Sequence, residues 1–256
     1  MTHASIVAVA GPSGVGKTTW IAQCLSEASQ PAIYVPAGRG DISVELAYIG
    51  YRFPRVRVVD EKQLSHLLDT LSEPTVVYVE LDFSLDLQLP LPMQESSRRV
   101  AILPSSLKDS RWHAWADEMV PGNEIAIFDP AKMPDLWTMS LAGQVFDAPS
   151  LDDITNELTG GAYGKVHRMK GMFELPDGRS FHVDFVEGLD GLEYAELNLP
   201  RWLDGRPQRF SGIEVVGWNL EGETVAQTLL DGCLSDEAIA HYQHQYKSLV
   251  PEAAAL

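Results

Sequence analysis

Apolar residues come in short dense runs along the first half of the chain, separated by amphipathic stretches. Ile6 to Ala10 is one such run and reads as a buried strand. Thr18 to Ala28 combines good helix formers with an apolar stripe at Trp20, Ile21, Cys24 and Leu25, which predicts a helix. Ala32 to Val35 and Arg55 to Val59 read as short strands, and residues 61–71 as a helix. Thr75 to Glu80 (TVVYVE) is β-branched and predicts a buried strand. Val100 to Leu103 and Glu124 to Phe128 predict two more. Between them Ser105 to Met119 has helical spacing, with Trp112, Trp115 and Met119 on one side. Alternating strands and helices predict an α/β fold, a largely parallel sheet flanked by helices on both faces.

The pattern changes around Phe146 to Ser150. Pro149 precedes Ser150, an expected N-cap for the helix SLDDITNEL, and Gly160-Gly161 stops it. Close-set strand patterns follow at Lys165 to Leu175, Arg179 to Val186, Glu193 to Leu197 and Phe210 to Trp218. Asp177-Gly178 between the first two is a hairpin signal. Helices are predicted over 222–233 and 235–249. This is the pattern of a small α+β domain. The expected division is residues 1–148 for the α/β domain and 149–256 for the second.

The segment between the first strand and the first helix changes the picture. Gly11-Pro12-Ser13-Gly14-Val15-Gly16-Lys17-Thr18 is a complete G-x-x-x-x-G-K-[ST] phosphate loop, in the strand–loop–helix setting that the motif requires. Glycines let main-chain N–H groups converge on a di- or triphosphate, and the helix beginning at Lys17 adds the positive end of its dipole. The expected nucleotide-binding residues are Gly11, Ser13, Gly14, Val15, Gly16, Lys17, Thr18 and Thr19. Lys17 is expected to reach the β and γ phosphates, and the Thr18 hydroxyl to hold Mg2+. Arg39, between Gly38 and Gly40, is a candidate phosphate-facing finger.

Composition narrows the partners. Apolar residues make up 45% of the chain, enough for a sizeable core. The formal net charge of −17 argues against nucleic acid or an anionic membrane as a broad-surface partner, since both are polyanions. The two cysteines, Cys24 and Cys233, sit among apolar neighbours in predicted helices and read as core residues rather than a disulfide. No run has the length of a membrane span and none has the form of a secretory leader, so a cytoplasmic setting is the expectation. His241 and His244 share a helix face and could hold a metal, though an exposed face is the simpler reading. His167 and His182 lie on adjacent predicted strands and could face each other. Arg168 and Lys170 share one strand face.

The stretch GKVHRMKGMFELPDGRSFHVDFVEG, residues 164–188, resembles the opening of the C-terminal domain of CobW-type proteins, with Arg168-Met169-Lys170-Gly171 as its core. RFSGIEVVGWNLEGETVAQTLLDGCL resembles the end of that domain. A phosphate-loop domain in front gives the order of the CobW-type P-loop GTPase family. The resemblance implies a purine nucleotide, GTP or ATP, bound with Mg2+ and slowly hydrolysed, in a switch or chaperone for a client protein. Gly40 to Glu45 is similar to the family's switch I segment, which would place Glu45 near the metal, with Asp41 a further candidate. VVYVELDFSLDLQLP is similar to the family's strand ending in glutamate. It implies that Glu80 sits at the strand tip as a magnesium-shell carboxylate, with Asp82 as the alternative.

The chain also departs from the family. YIGYRFPRVRVVDE, where the family carries its cysteine metal motif, has no cysteine. Phe83 stands where the family has a glycine whose N–H meets the γ-phosphate; an N–H survives, but phenylalanine cannot adopt the glycine-only geometries and adds bulk. After Val100 to Leu103 no N-K-x-D base-reading motif follows, and Asp109 has the wrong spacing. These departures favour a second reading, a non-hydrolysing relative used as an interaction scaffold. A small-molecule kinase is a third, weakened by the lack of an arginine-dense loop beyond Arg98-Arg99.

Overall fold

Each half of the chain builds its own sheet. In the computed structural model, which describes residues 4–38, 43–87, 97–129 and 132–249, contacts divide the chain into two compact units, Met1–Met133 and Pro134–Leu256. The division falls ahead of the boundary expected near residue 148, because Asp135–Ser140 forms a strand of the second sheet. No helix among the described residues is long and apolar enough to cross a membrane.

In the first unit the apolar runs become strands β1 (Ala4–Ala10), β2 (Ala32–Ala37), β3 (Arg57–Val58), β4 (Thr75–Leu81), β5 (Arg98–Leu103) and β6 (Glu118–Pro121). They form one six-stranded sheet in the order β3-β2-β4-β1-β5-β6, and every recorded pairing is parallel. Between them run helices α1 (Lys17–Glu27), α2 (Val44–Arg52), α3 (Glu61–Thr70) and α4 (Arg111–Trp115). Ile6, Ala10, Ile33, Val35, Val79 and Leu81 point to one face, where Leu64 and Leu67 of α3 and Trp112 of α4 complete the core. By strand alternation Val7, Val9, Tyr34 and Glu80 point to the opposite face.

Three expectations change in this unit. Glu124 to Phe128 is not a strand; the sixth strand is Glu118–Pro121, within the stretch expected to be helical. The helix there shrinks to Arg111–Trp115, and Met119, expected on its apolar side, is 54% exposed on β6. Pairing explains the change. Asp117 accepts from the Arg99 main-chain N–H and guanidinium, which starts a parallel ladder on β5. Val44–Arg52, for which the sequence pattern predicts no element, is helix α2, because the Ser43 side chain accepts from Leu46 N–H as an N-cap.

The second unit is an antiparallel sheet in the order β10-β9-β8-β11-β7, built from β7 (Asp135–Ser140), β8 (Lys165–Glu174), β9 (Ser180–Val186), β10 (Leu192–Glu196) and β11 (Gly212–Trp218). Helices α5 (Ala148–Thr159) and α6 (Gly222–Asp231) cover one face, with Leu151, Ile154, Leu158, Val225 and Leu229 meeting Met169, Phe173, Val183 and Val215. A third helix, α7 (Asp236–Leu249), follows. Asp147, not Ser150, caps α5: its carboxylate accepts from Ser150 N–H, and Pro149 falls in the first turn. Arg168 and Lys170 lie on the sheet face opposite Met169, and Arg168 pairs with Glu214 of the neighbouring β11 at 3.6 Å.

Both cysteines are thiols. Cys24 lies in α1, whereas Cys233 lies just past the end of α6 in a bridge to Phe146. Burial pushes the Cys233 thiol up to about 11 and raises that of Cys24 as well. Only the thiolate is nucleophilic. Iodoacetamide is therefore expected to label both slowly near neutral pH, with the Cys233 rate climbing only toward pH 11. Mass spectrometry of samples labelled across a pH series checks this.

Candidate functional site

The end of β1 turns into the glycine loop under a tight steric limit. A Cβ on Gly11, whose φ is +151°, would stand 2.2 Å from the Ile102 carbonyl oxygen, so only glycine lets the loop lie this close to β5. Gly16 takes the left-handed conformation at the N-cap of α1 and brings no side-chain acceptor with it. The first-turn N–H groups of α1 thus gain no side-chain cap, which suits them to an anionic oxygen. Ser13 and Val15 are buried in the loop and Thr19 is exposed.

Lys17 is only 4% exposed. Its Nζ donates to the Gly11 and Pro12 carbonyls, both at 3.0 Å, so the ammonium is folded back along the loop. Thr18 Oγ1 donates to Glu80 Oε1 at 3.0 Å, and Tyr34 Oη donates to Glu80 Oε2 at 2.9 Å. The register explains the meeting. β4 lies beside β1 with Glu80 opposite Val9, so the carboxylate stands next to the point where β1 gives way to the loop. A hydroxyl and a carboxylate, both buried, are the hard oxygen donors that suit magnesium.

Asn123 binds the loop from outside the motif. Its N–H donates to the Val15 carbonyl and its Nδ2 to the Gly14 carbonyl, both at 3.0 Å. Neighbouring Glu124 accepts from Ser105 N–H at 2.6 Å and Ser106 Oγ at 2.8 Å, tying the segment after β6 to the one after β5. The Ser106 and Ser105 bonds hold its carboxyl below the usual range. In the same segment after β5, Asp109 adopts a φ of +48°.

The other expected site residues fall as follows. Asp82 is buried and accepts from Ser84 N–H and Oγ, closing the turn after β4. Phe83 turns its ring inward, 5% exposed and edge-on to Phe128 at 5.6 Å, while the Arg111 guanidinium donates to its carbonyl. Glu45 is buried in the first turn of α2. Arg39 and Asp41 lie outside the described residues. His182 stands opposite Met172, while the His167 carbonyl accepts from Glu187 N–H, so these histidines do not pair across the strands. His241 contacts Gln245, and among the described residues no group of three or more His, Cys, Asp or Glu gathers into a metal site.

Two residues of the loop's surroundings escaped the sequence reading. Tyr34 carried one signal: a phenol in the apolar strand AIYVPA must find a polar partner when buried. Asn123 carried none beyond its place in a Pro-Gly-Asn turn.

No family model matches the chain, and no curated protein matches it. Solved structures similar to it include the Zn(II)-bound YjiA GTPase from E. coli, 13% identical, covering 91% of this chain and 99% of that one with a TM-score of 0.31. A Zn(II)-bound triple mutant of the YjiA GTPase is 14% identical, over 89% and 98% of the two chains, with a TM-score of 0.32. Similarity at this level assigns neither family nor activity to this chain.

Proposed function

We propose that the first unit binds a purine nucleoside triphosphate, GTP or ATP, together with Mg2+, and hydrolyses it slowly as a switch or chaperone for a client protein. The observation that carries this is the closed arrangement of Gly11, Gly16, Lys17, Thr18 and Glu80 at the head of α1, a helix whose N-terminus lacks a side-chain cap. On binding, Lys17 exchanges the Gly11 and Pro12 carbonyls for the β and γ phosphate oxygens. The N–H groups of residues 14–19 receive the remaining phosphate charge. Thr18 and Glu80 would hold magnesium, which supplies charge neutralisation at the phosphates. Glu45 is a further candidate for the metal's outer ligands, from its buried place in α2. The second unit, whose residues 164–188 resemble the opening of a CobW C-terminal domain, takes the client-docking role.

Hydrolysis is slow on this reading because Phe83, whose ring packs on Phe128, stands where the family has a glycine and cannot take the glycine-only backbone geometries there. The same feature favours a second reading, a nucleotide-binding scaffold without turnover. Phosphate release from GTP and from ATP, with Lys17→Ala as the blank, separates the two. Slow release above the blank, lost without Mg2+ and lowered about tenfold by Glu80→Gln, supports the hydrolase. Binding with no release above the blank leaves the scaffold.

A further inference from the structure

We infer that Tyr34 is a positioning residue for the magnesium-holding pair, pinning one oxygen of Glu80 so that the other stays aimed at Thr18. This rests on the nucleotide-binding reading above and goes beyond it, since no phosphate-loop motif includes a residue of the second strand.

The argument starts from strand register. Pro36 of β2 stands directly opposite Glu80, and Tyr34 stands opposite Tyr78. Proline brings no polar side chain to the carboxylate, so a partner from β2 must reach diagonally from the residue two positions earlier on the same face. Tyr34 is long enough, and its Oη lies 2.9 Å from Oε2. Its ring is fully buried in a strand whose other residues are apolar. A phenylalanine would fill the same space without the bond to the carboxylate.

The direction of the hydrogen bonds gives this contact a consequence. Tyr34 and Thr18 both donate to Glu80, one to each oxygen. A carboxylate that accepts on both sides cannot rotate without losing one bond. The Thr18 hydroxyl donates to Oε1, so the position of that oxygen sets the direction of the hydroxyl. Tyr34 therefore orients the donor pair through Glu80 without touching the metal or the phosphates.

The test follows a fluorescent nucleoside triphosphate titrated onto the full chain, in EDTA and across a magnesium series. Tyr34→Phe is expected to raise the magnesium concentration that half-maximally tightens binding by about tenfold, the usual scale for a residue that orients a metal ligand. Affinity in EDTA should change by less than about twofold, whereas a general loss of structure would weaken both. Tyr34→His, which returns a donor on a smaller ring, should recover part of the magnesium response and serves also if the phenylalanine variant does not fold. A magnesium midpoint within about twofold of wild type for both variants overturns the role. A wild-type protein that binds nucleotide with no magnesium effect overturns the Tyr34 role alone. One that binds no nucleotide in either condition overturns the parent reading with it.

Discussion

Replacing Lys17 with alanine is expected to weaken nucleoside triphosphate binding by about 100-fold, as read by titration with fluorescent GTP and ATP analogues. The ammonium sits almost wholly out of water and already makes two hydrogen bonds to loop carbonyls. Exchanging those carbonyls for phosphate oxygens swaps neutral acceptors for charged ones. A hydrogen bond to a charged group contributes about 1.5–3 kcal/mol, so losing two gives roughly 3 kcal/mol. Lys17→Arg should not restore binding, because a flat five-donor fork does not fit where a compact ammonium lies across a tight loop. Neither substitution should change the circular dichroism spectrum. Equal affinity for wild type and Lys17→Ala would remove the phosphate loop from the function of this protein.

The second large effect concerns stability, and it lies far from the loop in sequence. Arg209→Met is expected to destabilise the second unit by about 3–5 kcal/mol in urea unfolding of the full chain. Glu174, at the end of β8, is completely buried, and Arg209 grips it with two parallel bonds, Nε to Oε1 at 2.7 Å and Nη2 to Oε2 at 2.6 Å. The same guanidinium donates to the Pro200 and Gly178 carbonyls, so it also holds the Asp177-Gly178 turn. Removing it strands a buried carboxylate and two carbonyls at once. Arg209→Lys should recover little, since one ammonium cannot serve four acceptors in this geometry. Replacing Glu174 and Arg209 together by methionine should recover most of the loss, because no buried charge then remains without a partner. The exposed pair Arg98–Glu118 is the control: breaking it should cost less than about 1 kcal/mol. A loss of that small size for Arg209→Met would show that Glu174 is not desolvated in solution.

Glu174 and Arg209 illustrate what a linear reading misses. Each lies in a stretch that resembles the family, yet nothing in either stretch signals the pair, and they meet only because β8 ends beside the segment leading into β11. Glu118–Pro121 was equally illegible: its four residues look helical beside Trp112 and Trp115, and only pairing with β5 makes them a strand. Helix α2 depended on one cap, Ser43, in a stretch rich in turn residues. Strand β7 was missed because it is an edge, with exposed and half-buried positions that leave little apolar pattern to read. By contrast β1, β4, β8 and β9 stood out in advance, since a run buried on both sides or a sharp alternation bounded by Asp-Gly is written entirely in neighbouring residues.

The same division holds at the candidate site. The order of residues 6–19 alone determined a strand, a glycine turn and a helix, with Lys17 and Thr18 at the helix head. Those features depend on local sterics, whereas the Ile102 carbonyl that bars a side chain from Gly11 belongs to β5 and is a tertiary demand. The family resemblance implies Glu80 with Asp82 as alternative, but that Glu80 is the one bonded to Thr18, and that Tyr34 and Asn123 join the site, was decided by tertiary structure. Glu80 reaches Thr18 from 62 positions away and Tyr34 reaches Glu80 from 46, while Asn123 reaches Gly14 from 109. Such meetings are set by which strands lie side by side and in what register. Both come from packing the whole unit, and no window of sequence contains them.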